Sequence, residues 1–272
     1  MQIAEGSVAA LAEALGALDA LGMLKAVHAA CGKRAAILSS MQRAGAVLCH
    51  LADRAGLDFD VLFVDTGVLH HETLTTRDRL AEGHPRLRVR TLQPARSFAD
   101  QTRDEGLLYL SKEGQERCCD LRKSEPLAAV RGEYDVLIGA LRRGEGGARA
   151  KVAAAAADPA LGVIRVHPFV NWSADDLRRY VTDHPDVALN PLHAMGFPTI
   201  GCFPCTTPVR PDEEERAGRW RHLADVAYCG INPTDRKSGG ASLTIADHVD
   251  ATSGETINTA KSLFENLGVP WQ

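Results

Sequence analysis

The sequence predicts an α/β protein built on a doubly wound, mainly parallel sheet. Two observations carry this expectation. Short apolar runs with β character alternate with segments of helical periodicity, and such alternation implies right-handed crossovers between parallel strands. A chain of 272 residues, 45% of them hydrophobic, is also long enough to bury one large core. The formal net charge of -4 creates no field that would gather nucleic acid or an anionic membrane, so neither is an expected partner. No apolar run approaches the ~18 residues of a membrane span, and no basic stretch precedes the first apolar segment, so a cytoplasmic protein is expected.

The elements follow in order. Leu11, Leu15, Leu18 and Leu21 recur at helical spacing, which predicts one amphipathic helix over about 7 to 30 inside an N-terminal helical segment, 1–33. Strands are expected at 35–40 (AAILSS), 60–65 (DVLFVD), 87–92 (LRVRTL), 135–140 (DVLIGA) and in GVIRVHP, which ends at 168. Helices are expected at 44–55 and 71–82, and another begins at Pro126 and Leu127. Ser173 followed by Asp176 forms a capping box with Trp172 and Leu177 as its staple, so a helix runs over 174–183. The alanine run at 151–160 lacks apolar periodicity and is read as a surface excursion. The main domain is placed at 1–232. Residues 233–272 are read as a tail, rich in turn residues, with one short helix in TINTAKSLFENLG.

The cysteines carry the strongest chemical signal. There are seven, an odd number in a chain expected in a reducing compartment, so metal ligation or redox chemistry outranks a disulfide framework. Cys118 and Cys119 are adjacent, and Cys202 and Cys205 form a C-F-P-C pair 82 intervening residues later. Four thiolates suit an iron-sulfur cluster or zinc. Adjacent side chains diverge in regular structure, so both can ligate only where the backbone is bent. A cluster also separates its ligand positions more than one zinc ion does. Cys31 and Cys49 fall in helical patterns and read as small core residues.

CCDLRKSEPL at 118–127 and NPLHAMGFPTIGCFPCTTPVRPDEEERAGRW at 190–220, with DTGVLHHET at 65–73 and HPFVNWSADDLRRYV at 167–181, resemble the sulfonucleotide reductases. Within them the likeness is to the cluster-containing adenylylsulfate reductases. It covers roughly residues 34–230 and implies a fold of the adenine nucleotide alpha hydrolase-like, PP-loop-related type. It also implies a [4Fe-4S] cluster on Cys118, Cys119, Cys202 and Cys205, and adenosine 5'-phosphosulfate as substrate. The implied nucleophile is Cys229, which receives the sulfonate group while AMP departs. A thioredoxin or glutaredoxin thiol then releases sulfite, as in sulfate assimilation. Whether the chain forms a homo-oligomer is left open.

The resemblance assigns Lys123, Arg216 and Arg219 to the phosphosulfate. Ser39 and Ser40, at the end of the first strand, are placed to hold the α-phosphate at the next helix's N-terminus or simply to cap that helix. Asp65 and Thr66 follow the second strand, where open sheets bind ligands. Arg142, Arg143 and Arg149 flank Gly144, Gly146 and Gly147 in a basic loop suited to phosphates. The chain departs from the family pattern at several points. Met41, Gln42 and Arg43 stand where the family usually has a Gly/Ala-rich loop with an acidic pair, Val68 replaces an Arg, and Tyr228 and Asn232 replace a Glu and a His around Cys229. These departures keep a diverged member open, acting on 3'-phosphoadenosine 5'-phosphosulfate or a related sulfonucleotide. Two other classes fit the sequence less well. A PP-loop ATP pyrophosphatase or thiolation enzyme needs a glycine-rich, aspartate-bearing loop that SSMQRAG lacks. A non-catalytic iron-sulfur module leaves Cys229 and the RAGRW arginines unexplained.

Overall fold

The computed structural model describes residues 5–223 and 262–267. Its six-stranded sheet has the order β3-β2-β1-β4-β6-β5, with β1 Ala35–Leu38, β2 Asp60–Val64, β3 Arg88–Leu92, β4 Val136–Ile138, β5 Ala155–Asp158 and β6 Val163–Val166. All pairings are parallel except β5 with β6. Side chains of a strand alternate between faces, and this sheet shows it. Ala35, Ile37, Val61, Phe63, Val136 and Ile138 enter one large core. Ala36, Leu62 and Leu137 enter a smaller one with Leu127, Val130 and Tyr134 on the other face. Helices therefore cover both faces, as the alternation of strand and helix in the sequence requires.

The large face is covered by α1 (Glu5–Gly16), α2 (Ala20–Cys31), α3 (Arg43–Arg54) and α8 (Ala174–Asp183), while α4 (His71–Gly83) follows β2. The single N-terminal helix expected from the leucines is two helices. Asp19 accepts from the Gly22 backbone N at 2.6 Å and so begins a second helix where the first would have run on. The alanine run is likewise not a surface excursion. Ala155–Asp158 adds an antiparallel edge to β6, with Ala154 and Ala155 buried and α1 packed alongside. Small side chains let that helix approach the edge closely. The capping box at Ser173 forms as expected, with Asp176 N donating to Ser173 Oγ at 3.1 Å and Ser173 N to Asp176 Oδ2 at 2.8 Å.

After α5 (Phe98–Glu105), α6 (Lys112–Cys119) runs through a π-helical turn at Asp120–Ser124 into α7 (Glu125–Ala128). Pro126 thus sits inside a continuous helical run, not at the start of a new helix. Cys118 and Cys119 end α6, and the backbone departs from regular α-helix immediately after them. Residues 262–266 form a short helix whose Leu263 and Phe264 are buried in the large core.

Candidate functional site

The strand order reverses direction between β1 and β4, and a cleft of about 200 Å³ opens there at the carboxyl ends of the strands. Ser39, Ser40, Thr66, Lys123, Arg142, Arg149, Arg216 and Arg219 all line it. Of the residues singled out as ligands of a substrate, Asp65 and Arg143 do not. Asp65 accepts from Gly67 N at 2.9 Å, an ordinary turn contact, and from Gln93 at 3.3 Å. Arg143 is turned away, its guanidinium donating to Val152 O at 3.0 Å and Asn171 Oδ1 at 2.5 Å, so it braces the loop. Cys229 lies outside the described residues.

The loop after β1 is held by its own side chains. Ser39 Oγ accepts from Met41 N at 3.2 Å, and Met41 takes a positive φ of 56° to make the turn. The helix α3 then passes so close that a Cβ at Gly45 would fall 2.5 Å from Ser39 Oγ, which explains the glycine there. Two bonds pin this loop to the segment that carries the later cysteine pair. Ile200 N donates to Gln42 Oε1 at 2.8 Å, and Arg43 N donates to His193 Nε2 at 2.9 Å. His193 Nδ1 lies 2.8 Å from Phe197 O, so the ring is neutral with its proton on Nδ1. Burial and then the Arg43 charge push its pKa down to about 4. Burial also holds His167, on the cleft wall, down to about 4.

The cations differ in how they are held. Arg149 is ion-paired to Glu145 in the cleft wall. Arg142 is buried, its Nε and Nη1 without hydrogen-bond partners among the described residues and Glu145 3.9 Å away. Arg43 was missed by the sequence reading, yet it lines the cleft, and burial followed by the nearby Arg178 and Arg142 charges lowers its pKa against the opposing pull of Glu215. A desolvated guanidinium whose hydrogen bonds are incomplete is costly unless an anion completes the site.

Cys118, Cys119, Cys202 and Cys205 line one small adjoining cavity of about 20 Å³. Two residues, Lys123 and Cys202, line both the cavity and the cleft. Donors face the sulfurs: Gln115 Nε2 to Cys119 at 3.0 Å, Lys123 Nζ to Cys119 at 3.5 Å, Gln101 Nε2 to Cys118 at 3.5 Å, and Thr66 Oγ1 at 3.2 Å from Cys202. Burial raises the Cys118 thiol, and burial with the neighbouring Cys202 and Cys119 pushes Cys205 up to about 12. Arg122, also missed, is buried beside the cavity and donates to Thr66 O at 2.5 Å and Gln101 Oε1 at 3.0 Å. A signal for these donors was present: Gln115, Cys119 and Lys123 are spaced by four, as are Cys118 and Arg122, and such pairs share a helix face. Among the described residues no group of three or more His, Cys, Asp or Glu side chains is arranged to hold a single metal ion. Four sulfurs, three of them buried, with hydrogen-bond donors at Cys118, Cys119 and Cys202 and with the buried Trp220 Nε1 lacking a partner among the described residues, fit a larger, negatively charged thiolate-bound group.

Fold and cleft first define a class, an α/β protein of the PP-loop-related fold with a cationic cleft at its strand ends. The comparisons then narrow it. The model of the phosphoadenosine phosphosulfate reductase domain matches residues 34–208, more than half of the chain. The chain belongs to that family. Among its relatives, the adenosine 5'-phosphosulfate reductase of Streptomyces coelicolor is 38% identical over 78% of this chain and 88% of its own. That of Sinorhizobium fredii is 34% identical over 87% of this chain and 95% of its own. The phosphoadenylyl-sulfate reductase of Candida auris, solved as a phosphate complex, superposes with a TM-score of 0.63 at 16% identity, covering 76% of this chain and 99% of that one. That likeness concerns the fold. Among the described residues no helix is long and apolar enough to cross a membrane.

Proposed function

We propose that the chain reduces adenosine 5'-phosphosulfate to sulfite and AMP in sulfate assimilation. Relatives of this name match most of its length, and the observation that carries the reading is that Lys123 and Cys202 stand in both the cationic cleft and the four-cysteine cavity. In this reading Lys123, Arg216 and Arg219 hold the phosphosulfate while Ser39 and Ser40 border the phosphate, with Arg142 and Arg149 in the cleft lining. The Cys229 thiolate attacks sulfur, the bond from sulfur to the bridging oxygen breaks, and AMP leaves with that electron pair. A thioredoxin- or glutaredoxin-type thiolate then attacks the Cys229 sulfur and displaces sulfite. A second thiol of the donor closes its disulfide and restores Cys229, so the donor supplies the two electrons. Cys118, Cys119, Cys202 and Cys205 would hold a [4Fe-4S] group, which when bound supplies an electrostatic field at the cleft wall and a clamp between two distant segments. Free reactive thiols of this kind belong in a reducing compartment, the cytoplasm. The division into a main domain, 1–232, and a tail, 233–272, remains part of the same proposal.

The test is to incubate the protein with adenosine 5'-phosphosulfate without reductant and measure intact mass. A gain of one SO3 group on Cys229, removed by thioredoxin, is expected. An adduct on another cysteine would overturn the assignment of the nucleophile. One observation favours a second substrate. Arg43 adds a cation to the cleft beside Arg142 in place of the family's usual acidic loop, which suits a further phosphate on the nucleotide. Faster adduct formation from 3'-phosphoadenosine 5'-phosphosulfate would establish that reading.

A further inference from the structure

Arg219 lines the cleft, yet among the described residues no carboxylate pairs with it, and its Nε is buried without a partner. Among the described residues its Nη1 reaches only Ile200 O, at 3.4 Å. What holds the guanidinium is the next residue. The Trp220 ring lies beneath it, with Arg219 Cζ 4.4 Å from the ring centroid. Trp220 is 2% exposed and takes a φ of 50°, a left-handed conformation that a bulky residue adopts only when its surroundings force it. The forces are visible. Trp220 N donates to Cys205 O at 2.9 Å, Arg219 pairs with Thr206 across a short bridge, and the indole packs in one apolar cluster with Cys202 and Cys205. The guanidinium sits so near the cysteine turn that a Cβ at Gly201 would fall 2.5 Å from its Nη2.

We propose that Trp220 is a positioning residue for the substrate's anionic group, its indole face holding Arg219 in the cleft and tying that position to the cysteine turn. The physical reason lies in the choice of holder. A carboxylate would fix an Arg just as well but would neutralise it, as Glu145 does for Arg149, whereas an aromatic face fixes the side chain and leaves its charge for an incoming anion. The strained Trp220 backbone is then explained by the stacking it permits. Because the ring also packs on Cys202 and Cys205, any change at the cysteine turn is transmitted to Arg219 through one rigid side chain.

The inference rests on the reading that Arg219 binds the phosphosulfate, and a double-mutant cycle in the full chain separates the two. AMP affinity and the KM for adenosine 5'-phosphosulfate are measured for Trp220→Leu, Trp220→Phe, Arg219→Ala and the Arg219→Ala/Trp220→Leu pair, with circular dichroism as the check on folding. Trp220→Leu is expected to weaken AMP binding about tenfold and raise KM with a smaller change in kcat, while Trp220→Phe, which keeps an aromatic face, recovers most of the loss. In the Arg219→Ala background, Trp220→Leu should change affinity by less than about twofold. Full additivity of the two substitutions would overturn the inference, as would Trp220→Leu with both AMP affinity and KM like the parent's. If Arg219→Ala itself changes neither AMP affinity nor the KM for adenosine 5'-phosphosulfate, the assignment of Arg219 to the substrate fails instead. Should Trp220→Leu not fold, the series Trp220, Trp220→Tyr and Trp220→Phe decides: affinity falling in that order supports the proposal, and equal affinity overturns it.

Discussion

At the residue scale, the site separates groups that bind from the group proposed to react. Cys229→Ser is expected to bind AMP as the parent does and to release no sulfite, because only a thiolate accepts the sulfonate group. Isothermal titration with AMP and a sulfite assay check the two halves, and sulfite release by the variant would remove Cys229 from the mechanism. The cavity cysteines should behave oppositely. Cys202 faces Thr66 at 3.2 Å, and its backbone bridges to Leu69, so Cys202→Ser should lose bound iron and loosen the turn along with the cleft wall. Protein purified without oxygen is expected to hold about four irons and four sulfides per chain, and the variant almost none. Stoichiometric zinc without acid-labile sulfide in the parent would refute the cluster. The four cysteines were legible as a set from residue type and spacing, and the structure brings them to one cavity. Of the groups that face the sulfurs, Lys123 and Thr66 were singled out, but for the substrate, while Gln101 and Gln115 were not, because a Gln becomes a cysteine's partner only where the helix places it.

At the scale of elements, local rules decided most boundaries. The α8 start at Ser173 follows from two side chains three residues apart, and Ser173→Ala should cost about 1 kcal/mol of stability, read as a lowered urea midpoint with unchanged slope. An unchanged midpoint would show that tertiary contacts alone set that helix. Where local signals misled, a neighbour was the cause. The Ala155–Asp158 strand has no apolar periodicity of its own, and it exists because β6 pairs with it and α1 packs on it. The break before α2 was legible in principle, since Asp19 is a good N-cap, but the leucine spacing continues across it. The π-turn after Cys119 had no sequence signature beyond the cysteine pair itself.

At the scale of the whole molecule, buried imidazoles link stability to pH. Burial holds His167 and His193 at about 4 in the fold, and it also lowers His50, which bonds to Tyr180 and Asp186. Unfolded, each takes a proton near pH ~6.5. The sign follows: above that pH both states are neutral at these groups, and as pH falls from ~6.5 towards ~4 the unfolded chain binds more protons, so stability declines. Urea midpoints should drop steadily between pH 7 and pH 5, and His193→Gln should flatten the slope. A slope equal to the parent's would mean that His193 titrates normally in the fold. The carboxylates of Asp58 and Glu213, both held at about 2 by their cationic partners, add loss only at lower pH.

The sequence by itself determined the strand and helix alternation, and with it the sheet, because side-chain periodicity reports directly which face of each element must be buried. It also determined the cysteine set and the basic residues near it, since those are properties of residue type and spacing. Only the tertiary structure decided which cations reach the cleft. Arg142, Arg149 and Arg43 enter it while Arg143 turns away to brace a loop, and adjacent arginines in one sequence cannot be told apart until the backbone assigns each a direction. It alone decided, too, that Lys123 and Cys202 stand between two cavities and that Trp220 underlies Arg219. These are contacts between segments far apart in the chain, or through a strained backbone angle, and no local pattern encodes either.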